Sequence, residues 1–91
     1  MSGGKVIDAR GLLCPLPVLR LRKVLLALPE GTVVRMLATD RMAAVDVPHF
    51  CGQAGHVMMG MRDLDDGAME FTVRRGPSAP LAAGGLAPKD I

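Results

Sequence analysis

The sequence predicts an α+β fold, a two-layer α/β sandwich ordered β-α-β-α-β-β, with two helices on one face of a four-stranded mixed sheet. Three observations predict it. Apolar residues recur at helical spacing from Val18 to Leu28 but alternate one by one from Met69 to Val73. Short β-rich runs stand on either side of the helical stretches. Ninety-one residues, 49% of them apolar, supply one hydrophobic core and no second.

Lys5–Ala9 reads as the first strand. Gly11 then turns the chain, Cys14 follows, and Pro15 and Pro17 open a helix. Proline is tolerated in the first helical turn, where its missing N–H would have had no partner. Val18, Leu21, Val24, Leu25 and Leu28 form the core stripe of that helix, with Arg20, Lys23 and Ala27 on the opposite side. Pro29-Glu30-Gly31 is a breaker and turn. Thr32–Ala38 is β-branched and apolar apart from Arg35, as an interior strand requires. Strand, helix and strand in this order imply a right-handed crossover and parallel pairing.

Thr39-Asp40 forms a loop ending in an N-cap for a second helical region from Met42 to Ala54. Pro48 falls inside it, which predicts a turn over Arg41–Val45 and a main helix starting near Asp46 or Val47. His56–Arg62 reads as the third strand, Asp65-Asp66-Gly67 as a hairpin turn, and Ala68–Arg75 as the fourth strand. Met69, Phe71 and Val73 then share one face, and Glu70, Thr72 and Arg74 the other. From Gly76 onward glycine, proline and alanine dominate without a period. The domain is therefore expected over 1–76, with 77–91 a disordered tail.

A net charge of +2 with scattered basic residues, and only Phe50 and Phe71 as aromatics, argue against direct nucleic-acid binding. Seven methionines point to a forgiving core. Two cysteines are too few for a disulfide scaffold, and nothing in their spacing demands a Cys14–Cys51 bridge. Met1 to Lys5 lead into a strand without an apolar secretory core, and the longest apolar runs, about five residues, are far short of a membrane span. A cytoplasmic, membrane-free protein is expected, with its thiols reduced.

The residue that stands out is Cys14. A free cysteine is most often a small buried apolar residue. Here a glycine turn, flanking prolines and a helix start surround it, and a helix N-terminus favours a nucleophilic thiolate. Arg10 either folds back towards the sulfur or stands solvated. Cys51, beside Phe50 within the second helix, is expected to be buried and inert. His49 and His56 match no zinc pattern, so no metal is expected, and both read as surface or helix-end residues. Asp40 and Asp46 read first as helix caps, with any catalytic part second. Leu19 and Leu26 lie on the side of their helix away from the core stripe, beside Arg22 and Lys23, and suggest a docking surface with apolar anchors.

Taken together, Asp8, Gly11-Leu12, Cys14-Pro15-x-Pro17, Arg22-Lys23, Pro29-x-Gly31, Asp40 and Asp46-Val47-Pro48-x-Phe50-Cys51 resemble the pattern of the TusA/SirA-type sulfur-carrier family, over about Val6 to Arg75. The resemblance implies a two-layer sandwich and a carrier whose cysteine, here Cys14, takes sulfane sulfur as a persulfide. It implies a cysteine desulfurase or rhodanese-like donor and a downstream acceptor protein, in relays serving tRNA thiolation, molybdenum-cofactor work or sulfur oxidation. Gly11, Pro15 and Pro17 would position the cysteine loop. Arg10, Leu19, Arg22, Lys23, Leu26 and Asp40 would contact partners. No cofactor is implied, and a monomer suffices. Leu16 and Arg41 stand where the tRNA-thiolation member has glutamate and proline, which leaves the donor and acceptor open. Two other classes stay in view: an RNA-binding or regulatory module, since the sandwich resembles the C-terminal domain of translation initiation factor three, and a redox sensor or thiol peroxidase using Cys14.

Overall fold

A computed structural model describes residues 5–77. The elements follow the order β1 (Lys5–Ala9), α1 (Leu16–Leu26), β2 (Val33–Ala38), α2 (Ala43–Ala54), β3 (Val57–Asp63) and β4 (Met69–Arg74). The strands lie side by side as β1-β2-β4-β3. β1 and β2 pair in parallel across the α1 crossover, while β4 pairs antiparallel with both β2 and β3. The sheet is therefore mixed, with β2 inside it, as the β-branched sequence of Thr32–Ala38 predicts.

Alternation decides which face is covered. Ile7 and Ala9, Val34, Met36 and Ala38, and Met69, Phe71 and Val73 all point to the helix side and are buried. Leu21 and Leu25 of α1 and Ala43, Val47 and Cys51 of α2 close over them. Burying one Leu, Val or Phe side chain stabilises by about 1.5–3 kcal/mol, so this single cluster dominates the fold. Val18, Val24 and Leu28, also assigned to the α1 stripe, pack at its margin. The opposite sheet face is open and carries a charged ladder. Glu70, nearly buried by its neighbours, accepts from Arg62 Nε at 2.8 Å and lies 3.5 Å from Arg35 Nη1.

Three boundaries differ from the sequence reading. α1 ends at Leu26, and Ala27 and Leu28 tighten into i→i−3 bonds before Pro29 is reached. α2 begins at Ala43, not near Asp46 or Val47. The Asp40 carboxylate accepts the N–H of Met42, and a tight turn over Arg41 and Met42 leads directly into the helix. Pro48 lies in its second turn, where its missing N–H removes one ladder bond without stopping the helix. The last difference is at the end of β4. Arg75, expected as the last residue of the fourth strand, and Gly76, where the Gly/Pro/Ala-rich composition begins, are both buried. Arg75 N–H donates to Thr32 O, its Nε donates to Leu25 O at 2.9 Å, and its Nη1 donates to Gly76 O, so its cation sits on the carbonyl end of α1. Gly76 N–H donates to Nδ1 of half-buried His56 at 3.0 Å. Apart from Pro77, the 77–91 segment lies outside the described residues.

Candidate functional site

The carboxyl ends of β1 and β2 and the start of both helices meet at one pole of the sheet, and Cys14 stands there. β1 delivers Ala9, whose carbonyl accepts from Leu12 N–H. Between them Gly11 takes a φ of +82°, which side-chain-bearing residues rarely adopt, and donates its N–H to Thr39 Oγ1 at 2.9 Å. The turn is thereby fixed to the end of β2. Cys14 precedes Pro15, the N-cap of α1, and Pro17 lies buried in the first turn. The Cys14–Pro15 peptide is cis. Thus Gly11, Pro15 and Pro17 all belong to the segment that carries the cysteine, and Cys14 is an exposed free thiol just before a helix start.

Two aspartates hold it. Cys14 N–H donates to Asp40 Oδ2 at 2.6 Å, and Cys14 Sγ–H donates to Asp46 Oδ2 at 2.8 Å. Asp40 uses its other oxygen on Met42 N–H at 3.0 Å. The two N–H groups hold the Asp40 carboxyl below the usual carboxylate range. Asp40, expected to contact a partner, accepts one N–H on each of its oxygens within the domain.

These contacts overturn the expectation of a thiolate. The Asp46 carboxylate accepts the thiol hydrogen and so stabilises the protonated form; local desolvation and the charges of Asp46 and Asp40 act in the same direction. The Cys14 pKa is raised, and the resting group is a thiol. A helix start alone would have favoured the anion, but a carboxylate in direct contact outweighs it. Arg10 does not reach the sulfur either. Its guanidinium forms a two-pronged pair with Asp8, Nε to Oδ1 at 2.9 Å and Nη2 to Oδ2 at 3.0 Å, and this contact brings the Asp8 carboxyl down to about 2.

Asp46, read first as a helix cap with any catalytic part second, makes no cap bond and instead meets the thiol. It stands in the first turn of α2, 32 residues from Cys14, and as a helix-start aspartate it looked like a cap. Only its place in the quoted motif marked it out. Cys51 is buried among the core residues, and its thiol is pushed up to about 11 by desolvation. It is free, as is Cys14. His56 lies at the end of α2, half-buried, with its pKa lowered by burial and by Arg75. Among the described residues no group of three or more His, Cys, Asp or Glu side chains could hold a metal ion, and no helix is long and apolar enough to cross a membrane.

Leu19 and Leu26 are 51% and 58% exposed, and Arg22 and Lys23 are exposed beside them. An open groove runs along this side of α1, lined by Leu12, Leu16, Leu19, Arg20, Lys23 and Val24. Leu19 and Lys23 fall in it; Leu26 and Arg22 do not. Leu12 and Leu16 bracket the cysteine in the chain, while Cys14 itself is not among the residues that line the groove.

The family model described as Sulfurtransferase TusA matches residues 5–75, which include every strand and helix of the fold. The Sulfur carrier protein TusA of Allochromatium vinosum is 36% identical over 69 residues, spanning 76% of this chain and 90% of its own. That of Pseudomonas entomophila is also 36% identical over 69 residues, spanning 76% of this chain and 85% of its own. The crystal structure of a SirA-like protein from Desulfitobacterium hafniense superposes with a TM-score of 0.72 at 31% identity, covering 80% of this chain and 99% of that one.

Proposed function

The chain belongs to the TusA sulfurtransferase family, and we propose that it is a sulfur carrier that accepts sulfane sulfur on Cys14 as a persulfide and hands it to an acceptor protein. The observation that carries this reading is an exposed thiol with a proton acceptor already in contact, Asp46 Oδ2 at 2.8 Å from Sγ. A carrier needs little more. It requires a sulfur that larger proteins can reach and a way to make that sulfur nucleophilic on demand.

In the loading step Cys14 Sγ attacks the outer sulfur of a donor protein's cysteine persulfide. The donor S–S bond breaks, its electron pair leaves on the donor sulfur, and a new S–S bond forms on Cys14. The Sγ proton moves towards Asp46 and is balanced by protonation of the departing donor thiolate. One persulfide and one thiol give one thiol and one persulfide, so no oxidant or reductant is consumed. Unloading is the same reaction with the acceptor's cysteine as the attacking thiol. Cys14, Asp40 and Asp46 all come from one chain, so a monomer is sufficient.

The donor is a cysteine desulfurase or rhodanese-like protein seated against the α1 groove, where Leu12, Leu16 and Leu19 offer apolar anchors and Arg20 and Lys23 a basic rim. The reaction belongs in a reducing compartment such as the cytoplasm, where Cys14 stays free. The redox-sensor alternative would draw on the same protonated thiol, and sulfenic-acid formation with peroxide in place of sulfur gain would favour it.

Incubation of the full chain with a cysteine desulfurase and cysteine, followed by intact-mass measurement, tests the proposal. The expected result is the addition of one sulfur atom, removed by a reductant and absent from Cys14→Ser. A wild-type chain that gains no sulfur, or a Cys14→Ser chain that gains it equally, overturns it.

A further inference from the structure

Resting on the carrier reading, we propose that Asp46 senses whether Cys14 is loaded, holding the empty thiol and repelling the persulfide. The argument begins with what the 2.8 Å contact requires. Sγ can approach the Asp46 carboxylate so closely because it carries a hydrogen to donate. Loading replaces that hydrogen with a sulfur atom about 2 Å beyond Sγ. Sγ then has only lone pairs to turn towards a carboxylate, and the outer sulfur of a persulfide ionises more readily than the parent thiol. An attraction becomes a repulsion between two anions.

The surroundings sharpen this. Asp46 belongs to none of the ion pairs formed among the described residues, whereas Asp8, Asp63, Asp66 and Glu70 each lie near an arginine. Among the described residues no Lys, Arg or His nitrogen lies within ion-pair distance of the Asp46 carboxylate to offset the new charge. Asp40 adds a second negative charge to the site and anchors the backbone of Cys14, so the loop does not simply move aside. What remains free is rotation about the cysteine side chain. Loading therefore releases the sulfur from α2 and turns its outer atom towards solvent, where an acceptor reaches it. Asp46 acts as a positioning residue. It lowers affinity for the cargo so that the carrier gives the sulfur up.

The test is an equilibrium measurement. The full chain is mixed with glutathione persulfide and glutathione at fixed ratio, alkylated, and the loaded fraction read by intact mass. The sulfur passes between two thiols, so the exchange constant is defined without any other reactant. Asp46→Asn is expected to raise the loading constant about tenfold, the scale of losing one hydrogen bond to a charged group. The same variant should lower the Cys14 titration midpoint, followed by thiolate ultraviolet absorbance, with the melting temperature unchanged. A purely structural role would not move the exchange constant and the titration together. Asp46→Ser removes charge and reach alike and should behave as Asp46→Asn does. A loading constant that is unchanged or lower in both variants overturns the inference while leaving the carrier reading standing. If no chain acquires sulfur from the persulfide, both fall.

Discussion

Cys14 and Asp40 are joined by a 2.6 Å hydrogen bond from backbone N–H to carboxylate, and that same carboxylate accepts the first N–H of the turn leading into α2. One side chain thus sets the cysteine loop of one helix against the start of the other, and the contact between Sγ and Asp46 follows from it. Asp40→Ala is expected to slow sulfur acceptance in single-turnover assays by about tenfold to a hundredfold, the scale of a misplacement near 1 Å. Cys14 should become easier to alkylate as its link to Asp46 loosens. Unchanged single-turnover rates would show that the loop is held by other means.

The raised pKa of Cys14 predicts an alkylation profile. Reaction with iodoacetamide proceeds through the thiolate, so its rate should still be climbing above pH 9.0, the ordinary midpoint, and should be suppressed near neutrality. Asp46→Asn removes the main cause and should move the whole curve to lower pH. Cys51, at about 11 and buried, should stay unlabelled until the protein is unfolded.

His56 couples stability to pH. Its neutral Nδ1 accepts from Gly76, and its folded pKa is lowered from 6.5 first by burial and then by the Arg75 charge. Folding favours the unprotonated ring, so this contribution is complete above pH 6.5. It is lost as pH falls below that value, because the unfolded chain takes up a proton that the folded one resists. The melting temperature should therefore drop between pH 7 and pH 5, and less steeply in His56→Gln. Parallel curves for the two proteins would remove His56 as the cause.

Gly76 has no room for a side chain, since a Cβ built there would overlap the Gly55 carbonyl. Gly76→Ala should cost about 1–3 kcal/mol in urea unfolding, as overpacking does. The loss should appear without any change in Cys14 reactivity, because the two positions lie at opposite ends of the sheet.

The α1 groove predicts a separation of docking from folding. Leu19→Asp should weaken capture by a sulfur donor, while changing stability by no more than about 0.5 kcal/mol, as exposed positions do. Leu26→Asp, outside the groove, should have the smaller effect on docking. Equal and undiminished docking by both variants would exclude this surface.

Most of the fold could be read from local pattern. The stripe through Leu21 and Leu25, and the alternation of Met69, Phe71 and Val73, are consequences of helical and strand periods, and these periods survive in the sequence. The place of Cys14 just before a helix was legible for the same reason, since its glycine and prolines are neighbours in the chain. What could not be read is whatever depends on tertiary contact. The partner of Cys14 lies 32 residues away, and an aspartate in a first helical turn has a sufficient local explanation. Arg10 found Asp8, two residues back, before it could approach the sulfur. Pro48 looked like a boundary because its cost is local, while the packing of Ala43 and Val47 that outweighs it is not. Arg75 read only as the last residue of the fourth strand, because the carbonyls it caps belong to α1, distant in the chain, and to its own neighbour.

Both described chain ends, Lys5 and Pro77, lie at the pole where β1 begins and β4 finishes, across the length of the sheet from the thiol. A fluorophore or a covalent tether attached at Lys5 or at Pro77 would thus sit at the end of the sheet away from the thiol. Attachment at either of these two residues would leave the Cys14 end of the sheet facing outward, which suits surface measurements of the thiol's reactivity.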